Sequence, residues 1–283
     1  MLRIELITEL QDMKKISIIG FGWLGLPLAR HLQEFGYLVK GSSTSAEKVN
    51  NLIQEGLQSY LFNLTPHPTG EGFNELFQTD ILWINIPPRT KHLPATHHPE
   101  QIKYLRALID QYEVKKVVYV SATSVYPDTN QVWKESDSLT PTNTGNLALY
   151  QAEKILTANK TYDLTILRFG GLLGVNRIPG KYFSGKELVQ GHSPVNYIHR
   201  DDAVGMASFI LEQNIWDEII NGVCPIHPKR KDVYEKNAAE LGFPPPVSYA
   251  EKEEPWKEIS AQKILDLGYQ FKIPNPMDFW YEG

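Results

Sequence analysis

From Lys14 onward, short apolar runs alternate with segments whose apolar residues recur at helical spacing. Short apolar runs bounded by Gly, Pro or polar residues are typical of buried strands, and a repeat near 3.6 residues is typical of amphipathic helices. The runs that predict strands are KKISIIG, YLVKGSS, LQSYLFNL, DILWINIPP, VKKVVYVSATSVYP and YDLTILRFGG. The segments that predict helices between them are WLGLPLARHLQEFG, SAEKVNNLIQEG, PEQIKYLRALIDQY and residues 147–159.

This alternation predicts an α/β fold of the Rossmann type, a doubly wound parallel sheet with helices on both faces. After Gly171 the pattern changes to loops rich in Gly and Pro, with helices at DDAVGMASFILEQ and KDVYEKNAAELG. Asp201 or Asp202 is expected to cap the first of these. We therefore predict an N-terminal extension at 1–12, a sheet domain at 13–171 and a small C-terminal substrate lobe at 172–283, with 201–223 returning to the sheet domain.

A glycine motif follows the first predicted strand, in IIGFGWLGLPLARHL. Gly20, Gly22 and Gly25 have the spacing GxGxxG, and the motif opens a helix, which is the context that a dinucleotide-binding loop requires. Gly20 would permit the tight turn, Gly22 the close approach of a pyrophosphate, and Gly25 the packing of helix on strand. The amides of Trp23 and Leu24 would face the phosphates at the positive end of the helix. The motif predicts an NAD(P) site.

The end of the second strand bears on the choice of dinucleotide. An acid at this place usually holds the ribose hydroxyls of NAD, but in VKGSSTSAEK no acid precedes Glu47. Hydroxyls with a nearby cation, Lys40 or Lys48, suit a 2′-phosphate better than a carboxylate does. The sequence therefore favours NADP, with hydroxyl contacts from Ser42, Ser43 and Thr44.

Two further segments are expected beside the cofactor. The fourth strand ends in INIPP, so the backbone at Asn85, Ile86 and Pro87 should pass next to the ribose. Arg168 ends the sixth strand in ILRFGG. It would order the loop beneath the nicotinamide or pair with an internal acid, and the sequence leaves both interpretations open.

The chain resembles the NAD-dependent epimerase/dehydratase family of extended short-chain dehydrogenases/reductases. The motifs that carry the resemblance are IIGFGWLG, VVYVSATSVYP, TPTNTGNLALYQAEKIL, LTILRFGGLLG, VNYIHRDDAV and ISAQKILDLGYQFKIP. The resemblance implies a Tyr that acts as general acid/base, a Lys one helical turn later that lowers the pKa of the Tyr, and a Ser or Thr that orients the substrate oxygen. Enzymes of this kind often dimerise, so the resemblance also implies a homodimer as one possible assembly.

Tyr150 and Lys154 have the spacing of the catalytic pair, but their register differs from that of the family. The TP ahead of the helix and the AE acid inside it both place the Tyr position at Gly145 and the Lys position at Leu149. A shift of five residues rotates a helical side chain by about 140° and advances it by about 7.5 Å. Tyr150 and Lys154 therefore remain catalytic candidates, but the favoured interpretation is that both are ordinary helix residues without a catalytic role.

The loop after the fifth strand departs from the family in a similar way. Counting back from Val125 and Tyr126, the usual Ser or Thr position is Ala122. Ser121 and Thr123 flank this position, and either would serve only if the loop shifts. Both are kept as catalytic candidates, with Tyr126 as a further acid/base candidate.

Composition excludes several other classes. The net charge is −5 and no basic run stands out, so we expect neither nucleic acid nor an anionic membrane as a partner. No apolar run has the length of a signal peptide or of a membrane span, so we expect a cytoplasmic protein. Cys224 is expected to be a small buried residue. The histidines His92, His97 and His98 cluster in a loop, but neither an acid nor a third histidine completes a known metal-ligand spacing, so no metal is predicted. His199 is expected to pack and to make hydrogen bonds.

Two functions remain open after these observations. The first is an NAD(P)-dependent epimerase, dehydratase or reductase with an atypical site, acting on a small polar molecule such as a sugar or nucleotide-sugar. The second is a catalytically inactive dinucleotide-binding protein with a regulatory or interaction role.

Overall fold

The computed structural model describes residues 13–89, 92–252 and 254–281. The predicted N-terminal extension at 1–12 lies outside the described residues. Within them, the main element is a parallel sheet of seven strands. The Rossmann-type fold predicted from the sequence is confirmed.

The strands have the following bounds: β1 Lys15–Ile19, β2 Leu38–Ser43, β3 Gln58–Leu61, β4 Asn63–Leu64, β5 Pro68–Thr69, β6 Ile81–Ile84, β7 Lys116–Ala122, β8 Gln131–Trp133, β9 Asp163–Phe169, β10 Gly171–Leu173, β11 Tyr197–His199, β12 Ile219–Gly222 and β13 Lys257–Ile259. The strands of the main sheet follow the order β12-β9-β7-β6-β1-β2-β3. Outside it, the described strands form three small two-stranded sheets: β4 with β5, β8 with β13, and β10 with β11.

The helices of the described chain are α1 Gly25–Glu34, α2 Ala46–Gln54, α3 His97–Gln111, α4 Leu147–Thr157, α5 Pro179–Tyr182, α6 Arg200–Glu212, α7 Arg230–Leu241 and α8 Gln262–Asp266. Short 3₁₀ segments occupy Phe73–Phe77, Thr123–Val125 and Pro276–Asp278. The helices predicted from apolar spacing are all present, and Pro99 lies in the first turn of α3.

Burial explains why β1 and β6 read as continuous apolar runs. Every residue of β6 is buried, and in β1 only Lys15 is exposed. Central strands of a parallel sheet are covered on both faces, so their side chains cannot alternate between apolar and polar. Helix α1 buries one face, through Leu28, Ala29 and Leu32, and this stripe has the helical spacing seen in the sequence.

The described chain divides into two compact units. The first runs up to Val120 and adds Ala148–Ile166 and Glu212–Glu218; the second comprises Ser121–Leu147, Leu167–Leu211 and Ile219 onward. The first unit contains the glycine motif, and the second contains the C-terminal segments. The boundaries predicted from the sequence, 13–171 and 172–283, stay a prediction.

Two local predictions were wrong. LQSYLFNL does not form one strand: β3 ends at Leu61, and Asn63–Leu64 pairs instead with Pro68–Thr69. Neither Asp201 nor Asp202 caps α6, because the helix begins at Arg200 and both acids lie in its first turn.

The carboxylate of Asp202 is buried and has another use. It accepts hydrogen bonds from the amides of Lys272 and Ile273, at 2.7 and 2.9 Å, and from the Tyr269 hydroxyl at 2.9 Å. Asp202 thereby fastens the C-terminal segment to α6, which a local capping rule does not anticipate.

Candidate functional site

The glycine motif forms a tight turn between β1 and α1. Gly20 has φ +108°, and a Cβ there would lie 2.6 Å from the Asn85 carbonyl oxygen. A Cβ on Gly25 would lie 2.1 Å from the Gly20 carbonyl oxygen. Side chains at these two positions are therefore excluded by the fold itself, one at the turn and one where helix packs on strand.

Gly22 differs from its two neighbours in the motif. It is exposed, its φ is outside the left-handed region, and a Cβ there would meet nothing within 4 Å. The fold alone therefore does not require glycine at this position. A ligand that approaches the backbone closely would explain it, as a pyrophosphate does in dinucleotide-binding loops.

The N-terminus of α1 also suits an anion. No side chain caps this helix and no acid lies in its first turn, so the positive end of the helix dipole carries no protein counter-charge of its own. Trp23, half-buried, lies in the loop that precedes the helix. Together with the space at Gly22, these features fit a diphosphate group held by main-chain amides.

Ser42 supports the glycine loop from the end of β2. It is buried, its Oγ accepts a hydrogen bond from the Gly20 amide at 3.1 Å, and its carbonyl accepts from the Phe21 amide at 2.6 Å. Ser43 and Thr44 come next, and Thr44 is exposed. The hydroxyls predicted to contact the cofactor thus have different roles, because that of Ser42 is already used to hold the turn.

The two cations considered beside the predicted 2′-phosphate lie in different places. The Lys40 ammonium donates to the carbonyls of Glu75 and Gln78, and burial lowers its pKa. The Lys48 ammonium donates to the Phe21 carbonyl at 2.6 Å, inside the glycine motif. Of these two lysines, Lys48 is therefore the one whose ammonium lies beside the glycine loop.

The end of β6 contacts the same loop. The Asn85 amide donates to the Ile19 carbonyl at 3.0 Å, and its side-chain amide donates to the Gly20 carbonyl at 3.3 Å. Ile86 and Pro87 follow directly, with Ile86 half-buried and Pro87 exposed. The sequence predicted only that the backbone of Asn85 would lie beside the cofactor. It did not predict the hydrogen bond from the Asn85 side chain to the glycine loop.

Gly145 lies in the turn before α4 and has no room for a side chain. A Cβ there would lie 2.5 Å from the Tyr126 carbonyl oxygen and 2.7 Å from that of Ser124. Its amide donates to the Val125 carbonyl at 2.9 Å. The position that the family register assigns to the catalytic Tyr is thus packed against the loop after β7.

Leu149, at the register position of the catalytic Lys, is buried on α4. Tyr150 is half-buried and Lys154 is exposed, with the Lys154 ammonium 5.4 Å from the centre of the Tyr150 ring. This contact between residues four apart is typical of a helix surface.

Ser121 and Thr123 lie at the end of β7 in the second unit, and both are buried. Ala122 between them is half-buried. Arg168 is likewise in the second unit and is buried at the end of β9.

The side chain of Arg168 belongs to a buried polar cluster around Tyr126. The guanidinium donates to the Tyr126 hydroxyl at 2.7 Å and lies over its ring, and the hydroxyl donates to Asn221 Oδ1 at 3.0 Å. The Asn221 amide donates to Glu135 Oε1 at 2.8 Å. Burial raises the pKa of Tyr126, and the charge of Arg168 offsets part of this rise.

This cluster gives Arg168 a partner that neither sequence interpretation named. A Tyr hydroxyl that is buried and bonded on both sides is held as a structural group, which weakens the suggestion that Tyr126 acts as acid/base. Asn221 and Glu135 were missed because no local pattern connects residues so far apart along the chain.

The other titratable residues pack as the sequence suggested, with one difference. His97 and His98 are not in a loop but begin α3. His98 is buried, its Nε2 lies 2.7 Å from the Tyr119 hydroxyl, and burial lowers its pKa to about 4. No three His, Cys, Asp or Glu side chains of the described chain are placed to hold a metal ion.

His199 and Cys224 are both buried. The Asp201 amide donates to His199 Nδ1 at 3.3 Å, so Nε2 carries the proton and donates to the Trp280 carbonyl at 3.2 Å. The Cys224 thiol donates to the Ile273 carbonyl, and burial raises its pKa. The predictions of packing roles for these two residues are confirmed.

Comparison with known proteins places the chain in a family. Residues 15–139 match the model described as the NAD binding domain of 6-phosphogluconate dehydrogenase. Protein YeeZ from Escherichia coli strain K12 is 30% identical over 269 residues, which cover 94% of this chain and 98% of that protein. The chain belongs to the YeeZ family.

Solved structures show that this YeeZ-family chain has the fold of the short-chain dehydrogenase/reductase superfamily. A superfamily member from Agrobacterium tumefaciens, solved with NAD, is 16% identical with a TM-score of 0.75, over 93% of this chain and 94% of that one. UDP-glucuronic acid 4-epimerase from Bacillus cereus, solved with UDP-glucuronic acid and NAD, is 17% identical with a TM-score of 0.75, over 94% and 96%. The resemblance to the epimerase/dehydratase family is confirmed at the level of fold.

A search of the described residues for membrane spans found no helix with the length and apolar character that crossing a bilayer demands.

Proposed function

We propose that this YeeZ-family protein binds NAD(P) and acts on a small polar substrate of the sugar or nucleotide-sugar class, as an epimerase, dehydratase or reductase. The observation that carries the proposal is the glycine loop. Two of its glycines are required by the fold, whereas Gly22 faces open space beside an uncapped helix N-terminus. Solved neighbours that hold NAD, one of them with UDP-glucuronic acid, support the choice of cofactor and substrate class.

The main-chain amides around Trp23 and Leu24 would hold the diphosphate. Ser43 and Thr44, beside Lys48, would meet the adenosine ribose and favour a 2′-phosphate, since no carboxylate of the β2 end opposes one. When bound, the nicotinamide supplies a hydride acceptor or donor for redox chemistry on the substrate.

The acid/base group is the atypical part of this proposal. With Gly145 and Leu149 at the register positions of the family pair, proton transfer falls to Ser121 or Thr123 at the end of β7, or to Tyr150 and Lys154. Ser and Thr hydroxyls orient a substrate oxygen well but are weak acids. Catalysis with either residue would therefore need a reaction whose proton transfer has a low barrier, or a proton relay from solvent.

A second function is favoured by the packing of Gly145. Because a Tyr side chain has no space there, the protein would bind the dinucleotide without turnover and respond to it through its conformation or its contacts. Both functions require the same cofactor site, so binding must be tested before catalysis.

The first prediction concerns binding itself. We expect Gly22→Ala to lower dinucleotide affinity by at least about tenfold with little change in the unfolding temperature, because the added methyl meets no protein atom but occupies the ligand's place. Titration of NADPH followed by tryptophan emission, with Trp23→Phe to assign the signal, measures the affinity. Unchanged NADPH affinity in Gly22→Ala, or no NADPH or NADH binding by the parent protein at millimolar concentration, would overturn the cofactor proposal.

The second prediction concerns the choice of dinucleotide. We expect tighter binding of NADPH than of NADH, and we expect Lys48→Met to weaken NADPH by about tenfold, a loss of about 1.4 kcal/mol. NADH should change less than about twofold in this variant, since it lacks the 2′-phosphate. Lys103→Met on the exposed face of α3 is the matched control. Equal losses for both dinucleotides would reject the 2′-phosphate contact.

A further inference from the structure

The second unit contains a cavity of about 280 Å³, inside the C-terminal lobe in which the sequence predicts the substrate. Three segments line it: one before β11, one before α7 and one that leads into β13. Ligand pockets for drug-sized molecules usually measure about 300–1,000 Å³. A cavity at the small end of this scale accepts one sugar ring, whereas a whole nucleotide-sugar, with its base, two sugar rings and diphosphate, exceeds it.

Backbone hydrogen bonds hold the walls of this cavity in place. The Arg230 amide, at the start of α7, donates to the Ser193 carbonyl at 3.0 Å. Trp256 is fixed by its amide, which donates to Asn130 Oδ1 at 2.9 Å, and by its carbonyl, which accepts from the Asn130 amide at 2.7 Å. The cavity is therefore preformed, and a ligand needs to order little of the protein when it binds.

The charge of the lining opposes a diphosphate. The carboxylates of Glu254 and Glu258 make no hydrogen bond or ion pair with any residue that the structure describes, and Lys229 is the permanent cation among the lining side chains. These side chains include no arginine, the residue whose planar fork suits phosphate groups best. A nucleotide-sugar would bring two phosphate charges towards two carboxylates, and like charges at close range repel.

The same lining suits a sugar that carries no phosphate. An ionised carboxylate only accepts hydrogen bonds, and its two oxygens can take donors from neighbouring hydroxyl groups. His227 Nδ1 lies 2.8 Å from the Val195 carbonyl, so this nitrogen carries the proton and Nε2 of the neutral ring is a further acceptor. The half-buried indole of Trp256 offers a flat apolar surface against which the C–H groups of a sugar ring can pack.

We propose that the substrate bound in this cavity is a single free sugar without phosphate, and not a nucleotide-sugar. The inference rests on the proposed function and narrows its substrate class. Glu258 determines the preference, because it lies in β13 and is half-buried. The exposed Glu254, in contrast, can turn its carboxylate into solvent when an anion approaches.

The test measures binding to the full chain by calorimetry and ligand-observed NMR, in the presence and absence of NADPH. The probes are glucose, galactose, mannose and UDP-glucuronic acid. We expect at least one free sugar to bind with a dissociation constant of about 10 mM or lower, and UDP-glucuronic acid to bind at least about tenfold more weakly than that sugar. Binding of UDP-glucuronic acid as tight as that of the best free sugar, or no binding of any free sugar at about 50 mM, would overturn the proposal.

Glu258→Lys tests the residue that determines the preference. Because this substitution reverses the charge at the cavity wall, we expect it to weaken the free sugar and to strengthen UDP-glucuronic acid, each by at least about tenfold. Glu251→Gln is the control, an exposed acid outside the lining, and should change either affinity by less than about twofold. Circular dichroism confirms that each variant is folded. An unchanged preference in folded Glu258→Lys would contradict the role of Glu258.

The affinity for NADPH, measured on the same preparations, separates this inference from the proposed function. Retained NADPH binding together with a preference for UDP-glucuronic acid would remove the free-sugar inference and leave the proposed function. Absence of NADPH binding together with a preference for a free sugar would remove the cofactor and leave the substrate class.

Discussion

Gly145 shows how one residue can decide whether a familiar mechanism is available. A Cβ built on Gly145 would lie 2.7 Å from the Ser124 carbonyl oxygen and 2.5 Å from that of Tyr126, which is closer than van der Waals contact allows. A larger residue would have to push the loop after β7 away from the turn before α4, and overpacking of this kind costs about 1–3 kcal/mol.

We therefore expect Gly145→Ala and Gly145→Tyr to lower the free energy of unfolding by about 1–3 kcal/mol, with no gain of turnover in the Tyr variant. Urea unfolding measures the loss. Gly185→Ala is unsuitable as a control because of its positive φ, whereas Gly22→Ala is suitable because it meets no atom. A Gly145→Tyr variant as stable as the parent would show that the turn adapts and that the register position remains usable.

His98 gives a pH dependence at the scale of one residue. Its pKa is about 4 in the folded protein and 6.5 in the reference state, since burial disfavours the charged ring. The unfolded chain binds more protons between these values, so the contribution of His98 to stability is complete above pH 6.5 and falls as the pH decreases towards 4.

We expect this residue to account for a loss of about 2 kcal/mol between pH 7.5 and pH 5. His98→Gln should make the decline in unfolding free energy shallower by that amount, and His97→Gln, with the neighbouring half-buried ring, should not. Urea unfolding at the two pH values provides the measurement. Parallel pH profiles for the parent and His98→Gln would contradict the assignment.

At the scale of elements, α4 carries the argument about catalysis. Apolar spacing predicted this helix, and its buried face includes Ala148, Leu149 and Ala152. Lys154, by contrast, is exposed and contacts the ring of Tyr150. Leu149, at the position that the family register assigns to the catalytic Lys, therefore belongs to the buried face of the helix. The pair formed by Tyr150 and Lys154 lies elsewhere on the helix.

We expect Tyr150→Phe to change turnover by less than about threefold in any assay that shows epimerisation, dehydration or reduction, because a displaced hydroxyl transfers no proton. Ser121→Ala and Thr123→Val serve as the comparison, with a loss of about a hundredfold at whichever residue orients the substrate oxygen. A hundredfold loss in Tyr150→Phe would restore the pair as the catalytic one.

The glycine loop shows what an element junction adds to a motif. The spacing of three glycines and their place after a strand were sufficient to predict the site from the sequence. The sequence was not sufficient to predict which hydroxyls and cations face the loop. Ser42 and Lys40 make hydrogen bonds within the protein, and Lys48 is not adjacent in sequence to the loop that it contacts. Strand order β6-β1-β2 brings these groups together.

At the scale of the whole molecule, the contacts that organise the second unit join residues far apart in the chain. Arg168, Tyr126 and Asn221 meet around one hydroxyl, and Asp202 holds the amides of Lys272 and Ile273. Asp202 looked like a helix cap because local rules consider only its neighbours. The cavity beside Trp256 likewise has walls from three separated segments.

The sequence by itself determined the main alternation of strands and helices, the Rossmann-type class and the position of the glycine loop. These depend on residues within a few positions of one another, whose periodicity and glycine spacing can be read along the chain. The tertiary structure decided which polar side chains remain available to a ligand, that Gly145 has no space for a side chain, and that a preformed cavity exists near Glu258. Those properties depend on distances between segments that the fold brings together, and no local pattern encodes them.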